Sequence, residues 1–172
     1  FLHYTKKLEP VLPRLEYTEI INFKKNKKIK LAFLSSDIYG NHSVTYFLKA
    51  LIQNVDRQKF VLVFYSNCKI EKEDENTREF KTYFDEWVNI SSLNDILAIN
   101  TIRKNNINII IDLMGLTSTN RIALFKNRLA KIQILWLGYN NTSGLKNMDY
   151  LIADPNLIHQ DEVAHYSEKI FF

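Results

Sequence analysis

The sequence predicts a doubly wound α/β domain on a mostly parallel sheet, and three observations carry that prediction. Continuous apolar runs recur along the chain, among them "IKLAFL", "FVLVFY", "INIIIDL" and "IQILWL". Unbroken rather than alternating runs are what strands buried on both faces require. Segments with apolar residues at helical spacing separate most of them, and strand–helix alternation argues for a parallel sheet with right-handed crossovers. Finally, the chain has only 4 glycines, and Gly40, Gly115, Gly138 and Gly144 each follow a predicted strand. A rim of tight, accessible turns on the carboxyl side of the strands is where ligands bind in such sheets.

Each element has its own signal. Residues 1–28, with Pro10 and Pro13 and a weak helical pattern at "EYTEIINF", read as a lead-in. "IKLAFL" (Ile29 to Leu34) is the first strand. Val44, Phe47, Leu48, Leu51, Ile52 and Val55 then recur at helical spacing, with Asn41 or Ser43 available as N-cap. "FVLVFY" (Phe60 to Tyr65) is the second strand, and "NCKIEKEDENTREFKTYF" a charged loop entering a helix. "WVNI" (Trp87 to Ile90) reads as a short strand. Ser92 and Asp95 have capping-box spacing before a helix through Ile96, Leu97, Ile99 and Ile102. "INIIIDL" (Ile107 to Leu113) is the clearest central strand. A helix over Arg121 to Arg128, the strand "IQILWL" (Ile132 to Leu137) and the strand "YLIAD" (Tyr150 to Asp154) follow. "SEKIFF" reads as the start of another strand.

Composition narrows the function classes. A 172-residue chain with 46% hydrophobic and 24% charged residues suits one globular domain with a full core. The net charge of +4 is spread along the chain. Its one concentrated stretch, "FKKNKKIK" (Phe23 to Lys30), lacks the aromatic interleaving of a nucleic-acid site and reads as a solvated lead-in. Cys68 is the single cysteine, which excludes an internal disulfide and a cysteine-based zinc site and fits a reducing cytoplasm. No stretch nears the ~18 apolar residues of a membrane span, and no signal peptide is visible. The start at Phe1 and the stop within a strand-like run suggest a piece of a longer protein.

The predicted rim gathers Ser35, Ser36, Asp37, Asn41 and His42 after the first strand, Asp112 and Thr117 after the central one, and Tyr139, Asn140, Asn141, Thr142 and Ser143 after the next. Hydroxyls and amides with one imidazole suit a polyhydroxylated ligand. A Walker A sequence, a glycine-rich dinucleotide fingerprint and a nucleophile elbow are all absent. His159 and His165 do not have metal-ligand spacing and read as exposed loop residues, and His3 lies in the lead-in. His42 falls at or just before a helix N-terminus, where the helix dipole disfavours an imidazolium. Two readings stay open at this point. A neutral ring can accept a proton or hydrogen bond from a hydroxyl, or it can simply cap the helix.

Four segments in order, "SSDIYGNHSVTYFL", "INIIIDLMGLTSTNR", "IQILWLGYNNTSGLKNMDYLIAD" and "HYSEKI", resemble the catalytic region of the O-GlcNAc transferase and SPINDLY group, glycosyltransferase family 41. The resemblance covers about Ile29 to Phe172. It implies one Rossmann-like lobe, residues 29–172, of a two-lobed GT-B glycosyltransferase. The second lobe, which supplies most of the nucleotide-sugar site, would lie outside this chain, and the isolated piece would be inactive. Tetratricopeptide repeats commonly stand upstream and bind protein acceptors. The implied reaction is inverting and metal-independent. A sugar, GlcNAc from UDP-GlcNAc or fucose from GDP-fucose, moves to a protein Ser or Thr hydroxyl, with the nucleotide sugar as substrate and no cofactor. Carried over residue by residue, the family's catalytic histidine falls on His42. Asn41, Thr117, Tyr139, Thr142 and Ser143 match segments that face the cleft. The chain departs from its relatives at Leu116, between Gly115 and Thr117, and at Asn105 and Asn108, where some relatives carry Asp and His. It also departs at Arg128 to Lys131, where relatives read Arg-Pro-Ala-Pro. With amides at Asn105 and Asn108, either His42 does the proton work or the proton leaves through phosphate or water. A degenerate homologue that binds protein or sugar without transfer is the alternative.

Overall fold

A computed structural model describes residues 27–172. The lead-in pattern at "EYTEIINF", the prolines of the lead-in and the first half of the basic stretch lie outside the described residues. Seven parallel strands form one sheet: β1 (Ile29–Ser35), β2 (Phe60–Ser66), β3 (Glu86–Asn89), β4 (Ile109–Asp112), β5 (Ile132–Trp136), β6 (Tyr150–Ile152) and β7 (Lys169–Phe171), in the order β3-β2-β1-β4-β5-β6-β7. The helices are α1 (Ser43–Gln53), α2 (Glu75–Lys81) and α3 (Asp95–Lys104), with short 3-10 turns at Ile70–Lys72, Ile122–Asn127 and Val163–His165. The predicted doubly wound parallel sheet is therefore the observed one, and the strand order reverses between β1 and β4.

Strand residues alternate faces, and each face is dry. Ala32, Leu34, Val63, Tyr65 and Ile110 pack with Ala98, Ile99 and Ile102 of α3 and with Leu124 and Phe125. Phe33, Leu62, Phe64 and Ile111 pack on the other face with Val44, Leu48 and Ile52 of α1 and with Phe80 and Phe84. The i, i+4, i+8 spacing of Val44, Leu48 and Ile52 makes α1 amphipathic, and burying each such side chain is worth about 1.5–3 kcal/mol.

Three local expectations change. The first cap is neither Asn41 nor Ser43 but His42 itself, whose side chain accepts from the Val44 N–H. Ser92 and Asp95 form no capping box. Asn94 caps α3 by accepting from the Leu97 N–H, which leaves Asp95 in the first turn where its charge suits the dipole. The segment Ile122–Asn127 is a 3-10 helix rather than an α-helix. There the buried Asn127 amide donates to the carbonyls of Ala123 and Leu124, and Arg128 at φ 47° turns the chain sharply into β5.

Candidate active-site rim

The sequence places the polar residues on the carboxyl ends of the strands, and the structure holds each turn by a different device. After β1, Ser35 Oγ accepts from the Asp37 N–H at 3.0 Å, and the Asp37 carbonyl accepts from Thr45 Oγ1 at 3.1 Å. The start of α2 grips the rest of this loop. Asp74 accepts from the Gly40 N–H at 2.7 Å, Asn76 donates to the Gly40 carbonyl at 2.8 Å, and Thr77 donates to the Ile38 carbonyl at 2.6 Å. The Thr77 and Gly40 N–H groups hold the Asp74 carboxyl below the usual carboxylate range, so it stays a charged anchor. Gly40 sits at φ 57°, a conformation that favours glycine. Asp74 and Asn76 were not legible as site-builders in the sequence, because they lie in a charged stretch far along the chain.

Held this way, Asn41 and His42 are exposed and border a hollow of about 440 Å³ between α1 and α2. Tyr46, Asn76 and the ion pair of Lys49 and Glu79 (2.7 Å) complete its walls. His42 Nδ1 accepts the Val44 N–H at 3.3 Å. The neutral ring then carries its proton on Nε2, for which no hydrogen-bond partner is seen among the described residues. The imidazole thus offers a donor at the hollow. To accept a proton at Nε2 it would first have to release the cap.

The β4 and β5 turns are built differently. Asp112 is fully buried and accepts from the N–H groups of Met114 and Gly115 at 3.1 and 3.0 Å. Burial pushes its carboxyl up to about 7 against the pull of those two donors. Thr117, half-buried, donates to the Met114 carbonyl at 2.9 Å. The two turns interlock. A methyl group on Gly115 would meet Tyr139 Cβ at 2.4 Å, and one on Gly138 would meet the Leu113 carbonyl oxygen at 1.9 Å. Burial, then the neighbouring Tyr166, raises the Tyr139 phenol.

Thr142 and Ser143 turn inward. Glu168, buried just before β7, accepts from Thr142 Oγ1 and the Ser143 N–H at 2.7 Å each and also from Ser143 Oγ. Their hydroxyls therefore hold the loop. No local signal in the sequence assigned Glu168 that task.

Asn105 and Asn108 lie just before the amino end of β4, the end opposite the rim. Asn108 Oδ1 accepts from the Lys30 N–H at 2.9 Å at the entry to β4, and Asn105 caps the end of α3 and donates to Tyr65 Oη at 2.9 Å. Both amides are spent on these structural bonds. Leu116 packs against the core. His159 and His165 are exposed, as expected. No group of three or more metal-ligating side chains is placed to hold an ion among the described residues, and none of their helices is long and apolar enough to cross a membrane.

The comparisons agree with this fold. The profile of glycosyl transferase family 41 matches residues 8–172, so the match extends into the lead-in. The chain is 31% identical over 144 residues to the probable UDP-N-acetylglucosamine–peptide N-acetylglucosaminyltransferase SPINDLY of Arabidopsis thaliana. It is 28% identical over 141 residues to the UDP-N-acetylglucosamine–peptide N-acetylglucosaminyltransferase of Caenorhabditis elegans. These alignments take in 81% of this chain in each case, but only 15% and 12% of those proteins. A solved structure of a Thermobaculum terrenum O-GlcNAc transferase mutant superposes with a TM-score of 0.88 at 26% identity, covering 99% of this chain and 32% of that one. With fold, motifs and family profile in agreement over nearly its whole length, the chain belongs to glycosyltransferase family 41.

Proposed function

We propose that this chain is the acceptor-facing lobe of an inverting glycosyltransferase that moves GlcNAc or fucose from UDP-GlcNAc or GDP-fucose to a Ser or Thr hydroxyl of a protein. The observation that carries the reading is the His42 ring, exposed at a hollow on the carboxyl rim with its Nε2–H unspent. The acceptor oxygen attacks the anomeric carbon, the bond from that carbon to the nucleotide diphosphate breaks, and the hydroxyl proton leaves to phosphate or water. His42 donates from Nε2 to the acceptor oxygen or the sugar and so orients the attack, a contribution of position rather than of basicity. Asn41 and Tyr46 line the same hollow and shape the space for the acceptor, with Thr117 and Tyr139 on the neighbouring turns. A second lobe elsewhere in the whole protein holds the nucleotide and stabilises the leaving diphosphate. Repeats upstream of this chain would recruit the acceptor protein.

The test is direct. The whole protein is incubated with radiolabelled UDP-GlcNAc and, separately, GDP-fucose in a lysate of its own source cells. Label entering protein with one donor supports the reading and identifies the donor. Binding of either nucleotide sugar without any transfer would replace it with a non-catalytic binding role.

A further inference from the structure

A second hollow of about 300 Å³ opens on the same rim, on the other side of Tyr39 from His42. It lies over the carboxyl ends of β1, β2 and β3 and is closed by the loop after β4, beside the point where the strand order reverses. Three cations face it, Lys69 and Lys72 from the 3-10 turn after β2 and Arg121 from the loop after β4, together with hydroxyls such as Ser36 and Thr119, and no carboxylate lines it.

Of the nearby acids, Asp95 and Glu73 are paired with cations and Asp37 is hydrogen-bonded to a hydroxyl. Arg121 donates to Asp95 at 2.6 Å and to Asn67 Oδ1 at 3.1 Å, which fixes it as the floor. Glu73 is held by Lys81 at 2.6 Å, and Asp37 accepts from Ser36 Oγ at 2.8 Å. The two lysines are the loosely held charges. Lys69 Nζ is 3.9 Å from Glu71, with both side chains about 70% exposed, and Lys72 Nζ sits 5.6 Å from the centre of the Tyr39 ring. Ammonium groups on long stems around a polar pit suit a small anionic side chain. They do not form the backbone N–H cradle of a dinucleotide site.

We infer that this hollow receives an acidic side chain of the acceptor polypeptide. The inference rests on the proposed transfer reaction. Tyr39 borders this hollow and Gly40 to Ser43 border the one at His42, so both lie on one continuous loop. An extended peptide advances roughly 3.3 Å per residue. A hydroxyl at His42 therefore places a residue a few positions away over Lys69 and Lys72.

The experiment uses the whole protein and synthetic peptides with one acceptor Ser in an Ala/Gly background. Asp, Ala or Lys is placed in turn at each flanking position. Peptide KM and donor KM come from initial rates, and peptide Kd from fluorescence anisotropy. Asp at one or two positions should lower peptide KM and Kd by about 3- to 5-fold relative to Ala, and Lys should raise them. Lys69→Gln with Lys72→Gln should abolish the preference, and Lys72→Glu should reverse it. A flat panel, or a preference that survives the double substitution, overturns the inference. So does an effect of the lysine substitutions on donor KM in place of peptide KM. If no peptide is glycosylated but anisotropy still ranks Asp peptides tighter through the lysines, the transfer reading fails while the hollow stands. Equal peptide binding removes the hollow whatever the activity.

Discussion

Between β1 and α1 the side chains of Asn41 and His42 stand clear of the protein's own carboxylates, whereas between β5 and β6 a single carboxylate consumes Thr142 and Ser143. Asn41 and His42 are exposed at a hollow, on a loop gripped from outside by Asp74, Asn76 and Thr77. Thr142 and Ser143, on the same rim, are buried on Glu168. Both turns contain glycine, amides and hydroxyls. The contrast teaches that residue type locates a rim, but a distant buried acid decides which of its groups remain for a ligand.

The strongest way to break the contrast is through glycine. Gly138→Ala should destabilise the fold by about 3 kcal/mol or more, read by urea unfolding, because its methyl group would strike the Leu113 carbonyl in an interlocked turn. Gly40→Ala meets nothing within 4 Å and should cost only the left-handed backbone strain, about 1–2 kcal/mol. Equal losses would mean that the β5 turn is no more tightly packed than the β1 turn.

Next in size, Glu168→Ala strands the buried Ser143 N–H and hydroxyl and should cost about 3 kcal/mol, again by urea unfolding. Stability unchanged by that substitution would free Thr142 and Ser143 for a ligand and erase the distinction between the two turns.

Asp112 sharpens the comparison through pH. Its carboxyl is raised from the ordinary 3.8 to about 7 by burial, so the folded protein holds that proton more tightly than the unfolded chain. Its contribution is present at low pH, is lost as pH rises from about 4 to about 7, and is constant above that. Urea unfolding across this range should show Asp112→Asn with a flatter slope than the unsubstituted protein. Identical slopes would place the carboxyl in a wetter setting than the β4 turn provides. The smallest effect in the β5 turn is that of Thr142→Val, about 2 kcal/mol: Glu168 keeps its other donors, but the N–H groups of Gly144 and Ser167 lose the Thr142 oxygen as acceptor.

Much of this was legible in the chain. The unbroken runs "IKLAFL" and "FVLVFY" gave β1 and β2 because strands dry on both faces leave no polar alternation to misread. The placement of Gly40, Gly115, Gly138 and Gly144 gave the rim. Asn94 rather than Ser92 is the cap because capping is settled by where the first turn starts, which spacing fixes only to within a residue or two. The 3-10 form of Ile122–Asn127 was hidden because it depends on the buried Asn127 amide and the turn at Arg128. Within the site, His42 was visible from its position, but its capping bond was not. That bond decides which ring nitrogen faces the hollow. The inward turn of Thr142 and Ser143 was out of reach, since Glu168 lies 25 residues beyond Ser143 and meets it only through the parallel pairing of β5, β6 and β7.

The most direct test of the central claim is the rate of sugar transfer by the whole protein carrying His42→Asn. Asparagine keeps an N-cap for α1 while removing the imidazole. The account predicts an unfolding curve that overlays the unsubstituted protein's and a turnover lower by about 100-fold from the lost orientation of the acceptor. Transfer near the unsubstituted rate in a folded His42→Asn protein would contradict it and leave His42 as a helix cap alone.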